Sequence, residues 1–246
     1  MKQVIYTIVE NAALTGGIYR MVLSGDTSAI AAPGQFVNIA LPGLYLRRPI
    51  SVCDVQDDAL TLVYRVVGKG TDALSRRVPG ERLDVLTGLG NGYDLSRAGD
   101  APVLIGGGVG VPPLYLLAKR LTEQGRRVSV RLGFNTAGEV FYEDAFRALG
   151  CDVKVSTVDG SRGEKGFVTD ILPPSPTYYY ACGPEPMLRA VYKALDCPGE
   201  MSFEARMGCG FGACMGCTMP VEGGYKRICA DGPVLRKEEL LWNAQG

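Results

Sequence analysis

Residues 103–113 read VLIGGGVGVPP, an apolar run followed by a glycine turn and two prolines. The apolar residues predict a strand, and Pro112 and Pro113 suit the first turn of a helix, where backbone N–H groups lack intrahelical partners. A strand, a glycine turn and a helix in this order place helix N-terminal amides against a phosphate. The turn is not GxGxxG, since Val111 stands at the third glycine position, and no Lys-Ser/Thr pair makes it a P-loop. A purely structural glycine turn is the alternative.

A second turn of the same kind lies at residues 181–187, ACGPEPM. In a doubly wound sheet both turns open at the carboxyl ends of strands, where ligands bind. From residue 100 onward, strands alternate with longer helices, which predicts a parallel sheet with helices on its faces and a dinucleotide site at its edge. The predicted strands are 103–105, 128–134, 153–157 and 178–182, and the predicted helices are 112–124, 141–149, 169–172 and 185–195.

Before residue 100 the chain has short alternating or apolar runs separated by turn residues such as Pro33-Gly34 and Pro79-Gly80. This spacing predicts an antiparallel barrel or sandwich. Residues 71–77 are the exception and predict a short helix with Thr71 as its N-cap. The six predicted strands are 4–9, 18–23, 35–40, 49–55, 60–67 and 82–87.

Composition excludes several classes of function. The 246 residues hold 26 Lys plus Arg against 26 Asp plus Glu, so no net charge favours nucleic acid or an anionic membrane. There is no histidine, which excludes Ser-His-Asp and Cys-His catalysis, three-histidine zinc sites and Rieske clusters. No apolar run approaches the roughly 20 residues of a membrane span, and no N-terminal signal-peptide pattern is present. We therefore expect a cytoplasmic protein without nucleic-acid or membrane partners.

Four of the eight cysteines crowd together near the C-terminus, as Cys209-x4-Cys214-x2-Cys217-x11-Cys229. The x4 and x2 spacing is that of plant-type [2Fe-2S] proteins, and the glycines between them let backbone N–H groups face the sulfurs. The alternative is a structural zinc site, but such sites pair two short knuckles and only Cys214-x2-Cys217 qualifies. The spacing thus favours a [2Fe-2S] cluster. The other four cysteines are predicted to be buried free thiols.

Two motifs in the predicted barrel favour a nucleotide cofactor. Residues 47–51, RRPIS, place a guanidinium beside a hydroxyl, so that the arginine can hold a diphosphate and the serine a ring edge. Residues 64–71, YRVVGKGT, run from a strand into a glycine loop suited to phosphate. For the first motif alone, the alternative is a solvent-exposed strand edge. For the second motif alone, the alternative is a plain hairpin. Together they favour one nucleotide cofactor on the barrel.

In this order the motifs resemble the ferredoxin–NAD(P)⁺ reductase superfamily. Residues 204–217, EARMGCGFGACMGC, resemble more narrowly the electron-transfer subunits of class 1B dihydroorotate dehydrogenases. The resemblance covers essentially the whole chain. It implies an FAD-binding antiparallel β-barrel at residues 1–99, an NAD-binding α/β domain with a doubly wound parallel sheet at 100–198, and a small [2Fe-2S] cluster domain at 199–246.

The resemblance also implies a role for each motif. Arg48 would lie near the FAD phosphates and Ser51 near the flavin ring. Ile50 departs from the aromatic residue frequent in the superfamily, which puts flavin stacking there in doubt, although the dihydroorotate branch would show an aliphatic residue. The implied ligand sets are Arg48, Pro49, Ile50, Ser51, Arg65, Val66, Val67, Gly70 and Thr71 for FAD; Gly106, Gly107, Gly108, Val109, Gly110, Cys182, Gly183 and Pro184 for NAD; and Cys209, Cys214, Cys217 and Cys229 for the cluster.

The implied function is electron transfer in pyrimidine biosynthesis. Electrons would leave dihydroorotate at the FMN of a separate catalytic subunit, pass through the [2Fe-2S] cluster and FAD, and reduce NAD⁺. Two copies of each subunit are expected, and this chain offers no dihydroorotate site. NAD rather than NADP is expected, because residues 135–139, NTAGE, follow the second α/β strand without the Lys or Arg that a 2′-phosphate needs.

Two alternatives stay open at this stage. One is the flavin and iron–sulfur subunit of a sulfide dehydrogenase, a hydrogenase or a ferredoxin:NADP⁺ transhydrogenase. The other is a non-redox binding module held together by zinc. An absorption spectrum distinguishes the second, because flavin and [2Fe-2S] are coloured and zinc is not.

Overall fold

Alternating burial along the strands builds the N-terminal barrel. In β6 (Arg82–Leu89) every second side chain is buried, and Leu83 and Val85 pack inside the barrel. This period of two is the pattern of a strand with one face in a core. The structure, a computed structural model, describes residues 1–244; residues 245–246 of the predicted cluster domain lie outside the described residues.

All six predicted barrel strands are confirmed. They are hydrogen-bonded in the order β1-β2-β5-β4-β3-β6, and β6 pairs with β1 to close the barrel. The first five strands are β1 (Lys2–Thr15), β2 (Ile18–Ser24), β3 (Phe36–Ile39), β4 (Arg48–Gln56) and β5 (Ala59–Arg65).

The short helix α1 (Lys69–Ser75) begins two residues earlier than predicted. The prediction of Thr71 as its N-cap is wrong, since Gly68 occupies that position. The Thr71 hydroxyl instead accepts the N–H groups of Val67 (2.9 Å) and Gly68 (3.3 Å) from within the first turn. A hydroxyl within the first turn therefore closes the loop that leads into the helix.

The second half of the chain forms a seven-stranded sheet in the order β10-β9-β8-β7-β11-β12-β15. Its pairs are parallel except for β12 with β15, and every residue of β7, β11 and β12 is buried, as expected for central strands covered on both faces. The elements are β7 (Val103–Gly107), α2 (Pro113–Glu123), β8 (Ser129–Phe134), α3 (Glu143–Ala148), β9 (Asp152–Thr157), β10 (Glu164–Lys165), β11 (Tyr179–Cys182), α4 (Glu185–Ala194), β12 (Gly199–Ser202) and β15 (Val234–Arg236).

The doubly wound sheet is confirmed, with one difference in its helices. The helix predicted at 169–172 is a 3-10 turn, Val168–Ile171. Pro173 and Pro174 follow Leu172, and a residue before proline is disfavoured in helical conformation, so the turn cannot lengthen. None of the helices within residues 1–244 is both long and apolar enough to span a bilayer.

The C-terminal segment adds the hairpin β13 (Thr218–Val221) and β14 (Gly224–Arg227). Val221 and Ile228 from this region share one apolar core with Phe36 of the barrel and Leu235 of the sheet. The division at 99/100 and 198/199 stays a prediction. Because β12 and β15 lie in the sheet, we propose that the last segment folds with the α/β domain and not on its own.

A buried carboxyl group links the sheet to the segment that follows the barrel. Glu200 on β12 is 3% exposed, and it accepts the N–H of Asp94 (3.0 Å). Burial raises the pKa of Glu200 from 4.5 to about 7; the hydrogen bond from the Asp94 N–H opposes this shift, the negative charge of Asp94 adds to it, and Arg97 opposes it. Since the folded pKa lies above the unfolded value, the folded protein holds an extra proton between these two values, and its stability falls as pH rises through that window.

We expect Glu200→Gln to stabilise the protein at pH 8. Glutamine keeps an oxygen for the Asp94 amide and removes the buried charge, so the gain should be about 3 kcal/mol and should vanish toward pH 4.5. Urea unfolding at pH 8 and pH 5 measures it, with the exposed Glu238→Gln as control. A variant that gains as much at pH 5 as at pH 8 would contradict the account.

Candidate functional site

The four clustered cysteines lie as two pairs. The Cys209 N–H donates to the Cys214 sulfur (3.5 Å), and the Cys229 N–H donates to the Cys217 sulfur (3.4 Å). Among residues 1–244, no three Cys, His, Asp or Glu side chains are grouped as the ligands of one metal ion. Two thiol pairs suit a two-iron cluster with four cysteine ligands, in which each iron takes one pair.

Backbone amides surround these sulfurs. The Phe211 N–H donates to Cys209 (3.5 Å), and the Gly212 N–H donates to Cys229 (3.1 Å). Partial burial opposes ionisation of Cys209, but the Phe211 and Cys214 interactions outweigh it and lower its pKa to about 6. Burial raises the pKa of Cys229 to about 12, so this thiol would lose its proton when a metal takes its place. The residues present fit a [2Fe-2S] cluster.

Close approach explains two of the loop glycines. Gly210 has φ +81°, and a Cβ there would overlap the side-chain nitrogen of Asn38 on the barrel. Gly212 has φ +92°, and its Cβ would lie 2.8 Å from the Cβ of Ala230. Both positions combine a left-handed backbone with a neighbour that leaves no room for a side chain. Glycine lets this loop press against the barrel and against the turn that carries Cys229.

The structure brings the two predicted FAD motifs together. Arg48 at the start of β4 lies directly on Gly70 in α1, where a Cβ would overlap its guanidinium. Beside them Arg65 and Val67 are exposed, and Val67 keeps 78% of its surface in water. A cationic side chain, a glycine cradle and an uncovered apolar surface fit a flavin nucleotide.

The two neighbouring arginines have different tasks. Arg47 makes a two-pronged ion pair with Asp84 (3.1 and 3.0 Å) and also donates to the Asn38 carbonyl oxygen (3.3 Å). This contact with Arg47 lowers the pKa of Asp84. Arg48 contacts no carboxylate within residues 1–244, and its Nη1 donates to the Leu46 carbonyl oxygen (2.5 Å). Arg48 is therefore the cation left for a phosphate.

One residue connects the predicted flavin strand to the cysteine loop. Asn38 on β3 lies opposite Pro49 on β4, and its side-chain amide donates to the Cys209 carbonyl oxygen (3.2 Å). Ser51 lies opposite Phe36 in the same strand pair, and Phe36 packs in the core that contains Cys217. The outer face of these two strands is thus shared by the two predicted cofactor sites.

The predicted NAD turns border a cavity of about 590 Å³. Gly107, Gly108, Val109 and Gly110 line it, as do Gly183 and Pro184. Gly106 and Cys182 are buried behind the lining. A Cβ on Gly110 would overlap the Cys182 carbonyl oxygen, so the two turns touch through backbone. The cavity fits a dinucleotide at the carboxyl ends of β7 and β11.

Several cavity residues were missed by sequence reasoning. Phe167, which is 66% exposed, and Glu204 line the cavity together with Arg65 from the barrel. Burial and the charge of Glu204 raise the pKa of the nearby Cys182 to about 12. Glu139 also lines the cavity and accepts from the Asn135 amide (2.9 Å). Glu139 and Asn135 belong to residues 135–139, and the carboxylate of Glu139 is the feature of that segment that indicates a ribose-binding residue.

Comparison with known proteins identifies relatives of this chain. Residues 204–241 match the model of the iron-sulfur cluster binding domain of dihydroorotate dehydrogenase B. The "Dihydroorotate dehydrogenase B (NAD(+)), electron transfer subunit" of Geobacillus sp. (strain WCH70) is 44% identical over 98% of this chain and 99% of its own length. The protein of the same name from Fusobacterium nucleatum subsp. nucleatum is 42% identical over 93% of this chain and 94% of its own.

Solved structures share the fold. A chain from the work titled "Insights into flavin-based electron bifurcation via the NADH-dependent reduced ferredoxin-NADP oxidoreductase structure" superposes with a TM-score of 0.88 and 31% identity, covering 97% of this chain and 90% of that one. A ferredoxin NADP⁺ reductase from Neisseria gonorrhoeae with bound FAD and NADP superposes with a TM-score of 0.68 at 16% identity, over 79% of this chain and 90% of that one.

Proposed function

Because this chain belongs to the family of dihydroorotate dehydrogenase B electron transfer subunits, we propose that it takes electrons from a subunit that oxidises dihydroorotate and delivers them to NAD⁺. The observation that carries the proposal is that residues of the three proposed sites lie next to one another. Arg65 lies in the FAD motif and lines the NAD cavity, while Asn38 lies against the FAD strand and binds the cysteine loop. The place of this activity in UMP biosynthesis is part of the same proposal.

The cofactors supply the redox chemistry, and the residues of this chain hold the cofactors in position. When bound, FAD exchanges hydride with nicotinamide and single electrons with an iron–sulfur cluster. Arg48 would balance the FAD diphosphate, and the 106–110 and 182–184 turns would hold the NAD phosphates against backbone amides. The four cysteines would hold the cluster beside the barrel. No histidine is needed, since these residues position and tune cofactors.

The nicotinamide cofactor is proposed to be NAD. Glu139 lines the cavity just past the end of β8, and Asn135 holds its carboxylate (2.9 Å). A carboxylate in this place accepts a hydrogen bond from a ribose hydroxyl and repels a 2′-phosphate. The geometry therefore supports NAD for a reason stronger than the mere lack of Lys or Arg.

The name that the relatives carry implies a catalytic partner subunit. We propose that this partner carries FMN, that two copies of each subunit assemble, and that the complex is cytoplasmic. The proposed contact is the cysteine loop, where Phe211 and Met215 are 47% and 56% exposed on either side of the exposed Cys214. Large apolar side chains left in water next to a redox site are typical of an interaction surface.

We expect Met215→Asp to weaken binding of the catalytic subunit at least about tenfold. Met215 has φ +60°, a conformation that aspartate tolerates, so the loop should keep its shape while its apolar contact is lost. Calorimetric titration with the catalytic subunit measures the Kd. The control is Val78→Asp, which places the same charge at an equally exposed position on the barrel (56%). Equal weakening in both variants would contradict the proposed surface.

Arg48→Ala should weaken FAD binding by about 1.5–3 kcal/mol, which is roughly 10- to 100-fold in Kd, because it removes the cation from the diphosphate. Arg47→Ala is the matched control. It should lower stability by breaking the Asp84 pair while changing the FAD Kd far less. Fluorescence titration of the FAD-free chain measures both, and an equal loss of affinity in the two variants would show that Arg48 has no special role.

The isolated chain tests the proposal directly. Purified without oxygen, it should show flavin and [2Fe-2S] absorption and should reduce ferricyanide with NADH in preference to NADPH. Dihydroorotate alone should reduce nothing. A colourless, zinc-containing chain, or one that prefers NADPH, would overturn the proposed function.

A further inference from the structure

An ion pair at the end of β14 has no part in the sites described so far. Arg227 donates from Nε (2.8 Å) and Nη2 (2.9 Å) to the two carboxylate oxygens of Asp231. The Arg227 N–H donates to the same carboxylate (2.9 Å), and the Asp231 N–H donates to the Arg227 carbonyl oxygen (2.8 Å). Four hydrogen bonds thus close the turn that carries Cys229 in its middle.

The third guanidinium nitrogen reaches the other side of the cysteine site. Arg227 Nη1 donates to the Gly212 carbonyl oxygen (2.9 Å). Gly212 in turn donates its N–H to the Cys229 sulfur (3.1 Å). Both polar groups of Gly212 are therefore engaged, one by the arginine and the other by the cysteine.

The fit at Gly212 is tight. A Cβ there would lie 2.8 Å from Ala230 and 3.1 Å from Arg227 Nη1, and its φ is +92°. Only a residue without a side chain fits between the guanidinium and the turn. The planar guanidinium of Arg227 donates hydrogen bonds from two nitrogens to Asp231 and from the third to Gly212. The single ammonium group of lysine cannot reproduce this arrangement.

We propose that Arg227 and Asp231 form a strap that positions the Gly212 amide on the Cys229 sulfur and so raises the reduction potential of the cluster. The inference rests on the proposed function, since it needs a [2Fe-2S] cluster at these cysteines. Hydrogen bonds to cluster sulfurs favour the reduced state, which carries more negative charge. Arg227 is a positioning residue, acting through Gly212.

A substitution at Asp231 distinguishes an effect of positioning from an effect of charge alone. If only charge mattered, removing the negative Asp231 near the cluster would raise the reduction potential. If the strap matters, Asp231→Asn frees Arg227 and the Gly212 amide, and the potential falls. The two explanations predict opposite signs.

The experiment is a redox titration of the holoprotein, followed by the EPR signal of the reduced cluster. Arg227→Lys and Asp231→Asn should each lower the ratio of reduced to oxidised cluster at a given ambient potential about tenfold, a shift of about 59 mV for one electron. The FAD potential should stay unchanged. The control is Lys226→Gln, which removes a neighbouring charge that pairs with Glu239 and does not contact Gly212; its shift should be smaller.

A raised potential in Asp231→Asn, or an unchanged one in Arg227→Lys, would overturn the strap. If Asp231→Asn fails to retain iron, a lowered potential in the milder Arg227→Lys still supports it. A wild-type chain without a [2Fe-2S] signal would overturn the proposed function and the strap with it, whereas variants that match a cluster-containing wild type would overturn only the strap.

Discussion

A Cys229→Ser variant is expected to lose its [2Fe-2S] signal while keeping FAD. Cys229 is 2% exposed, lies beside Cys217 and receives the Gly212 amide, so its sulfur is enclosed, and the shorter, harder oxygen of serine would be a poor ligand in its place. Loss of a residue that only hydrogen-bonds a metal ligand already lowers metal affinity or activity about 10–100-fold. Loss of a ligand itself should therefore lower dihydroorotate-dependent NAD⁺ reduction by more than about a hundredfold. NADH-dependent ferricyanide reduction should change little, because none of the residues proposed to bind FAD or NAD is one of the four clustered cysteines.

EPR, iron analysis and NADH formation by the assembled complex measure this result. Cys197→Ser is the control, because Cys197 is a partly buried thiol outside the two cysteine pairs. It should keep cluster and activity. A Cys229→Ser complex that reduces NAD⁺ at the wild-type rate would show that electrons bypass the cysteine site.

A Gly110→Ala variant is expected to lose NADH-dependent activity while keeping both bound cofactors. The new Cβ would overlap the Cys182 carbonyl oxygen and lie 2.6 Å from the Gly183 nitrogen. These are backbone atoms, so the two turns must separate. A displacement of this kind in a site that positions reactants lowers the reaction rate about a hundredfold. We therefore expect kcat/KM for NADH to fall by about that factor.

Steady-state reduction of ferricyanide by NADH measures the loss. Gly138→Ala is the matched control, because its Cβ would meet nothing closer than the Thr136 hydroxyl at 3.8 Å although it lies in a neighbouring turn. Its kinetics should match those of the wild type. If Gly110→Ala also matched the wild type, the two turns would not form the NAD site.

Regular strands were predictable because their signal is local. The barrel strands alternate in burial, as in β6, and turn residues such as Pro79-Gly80 separate them. The cysteine spacing was equally informative, because three of the four thiols lie within nine residues of one another. In both cases the residues that act together are close in sequence, so their pattern can be recognised without knowledge of the fold.

What was missed depends on contacts between distant segments. Glu204 follows β12 and Phe167 precedes a 3-10 turn, and only the sheet brings them to one cavity. Arg47 and Arg48 are identical in sequence terms, yet Asp84 on β6 engages the first and leaves the second free. The placement of β15 beside β12 likewise depends on pairing across some thirty residues.

The start of α1 shows a limit of local rules as well. An N-cap hydroxyl accepts an N–H group from the turn that follows it, whereas the Thr71 hydroxyl accepts the N–H groups of Val67 and Gly68, which precede it. A residue type can predict that a loop is closed without predicting where the helix begins. Predictions of binding residues should therefore be less sensitive to such shifts than predictions of element ends.

The most direct test of the account is to isolate this chain without oxygen from its native host and to assay what co-purifies. We predict an FMN-containing subunit in equal number and NADH formation that depends on dihydroorotate and NAD⁺. If another oxidoreductase subunit co-purifies and dihydroorotate yields no NADH, the proposed function is contradicted, although the fold and the cysteine site would stand.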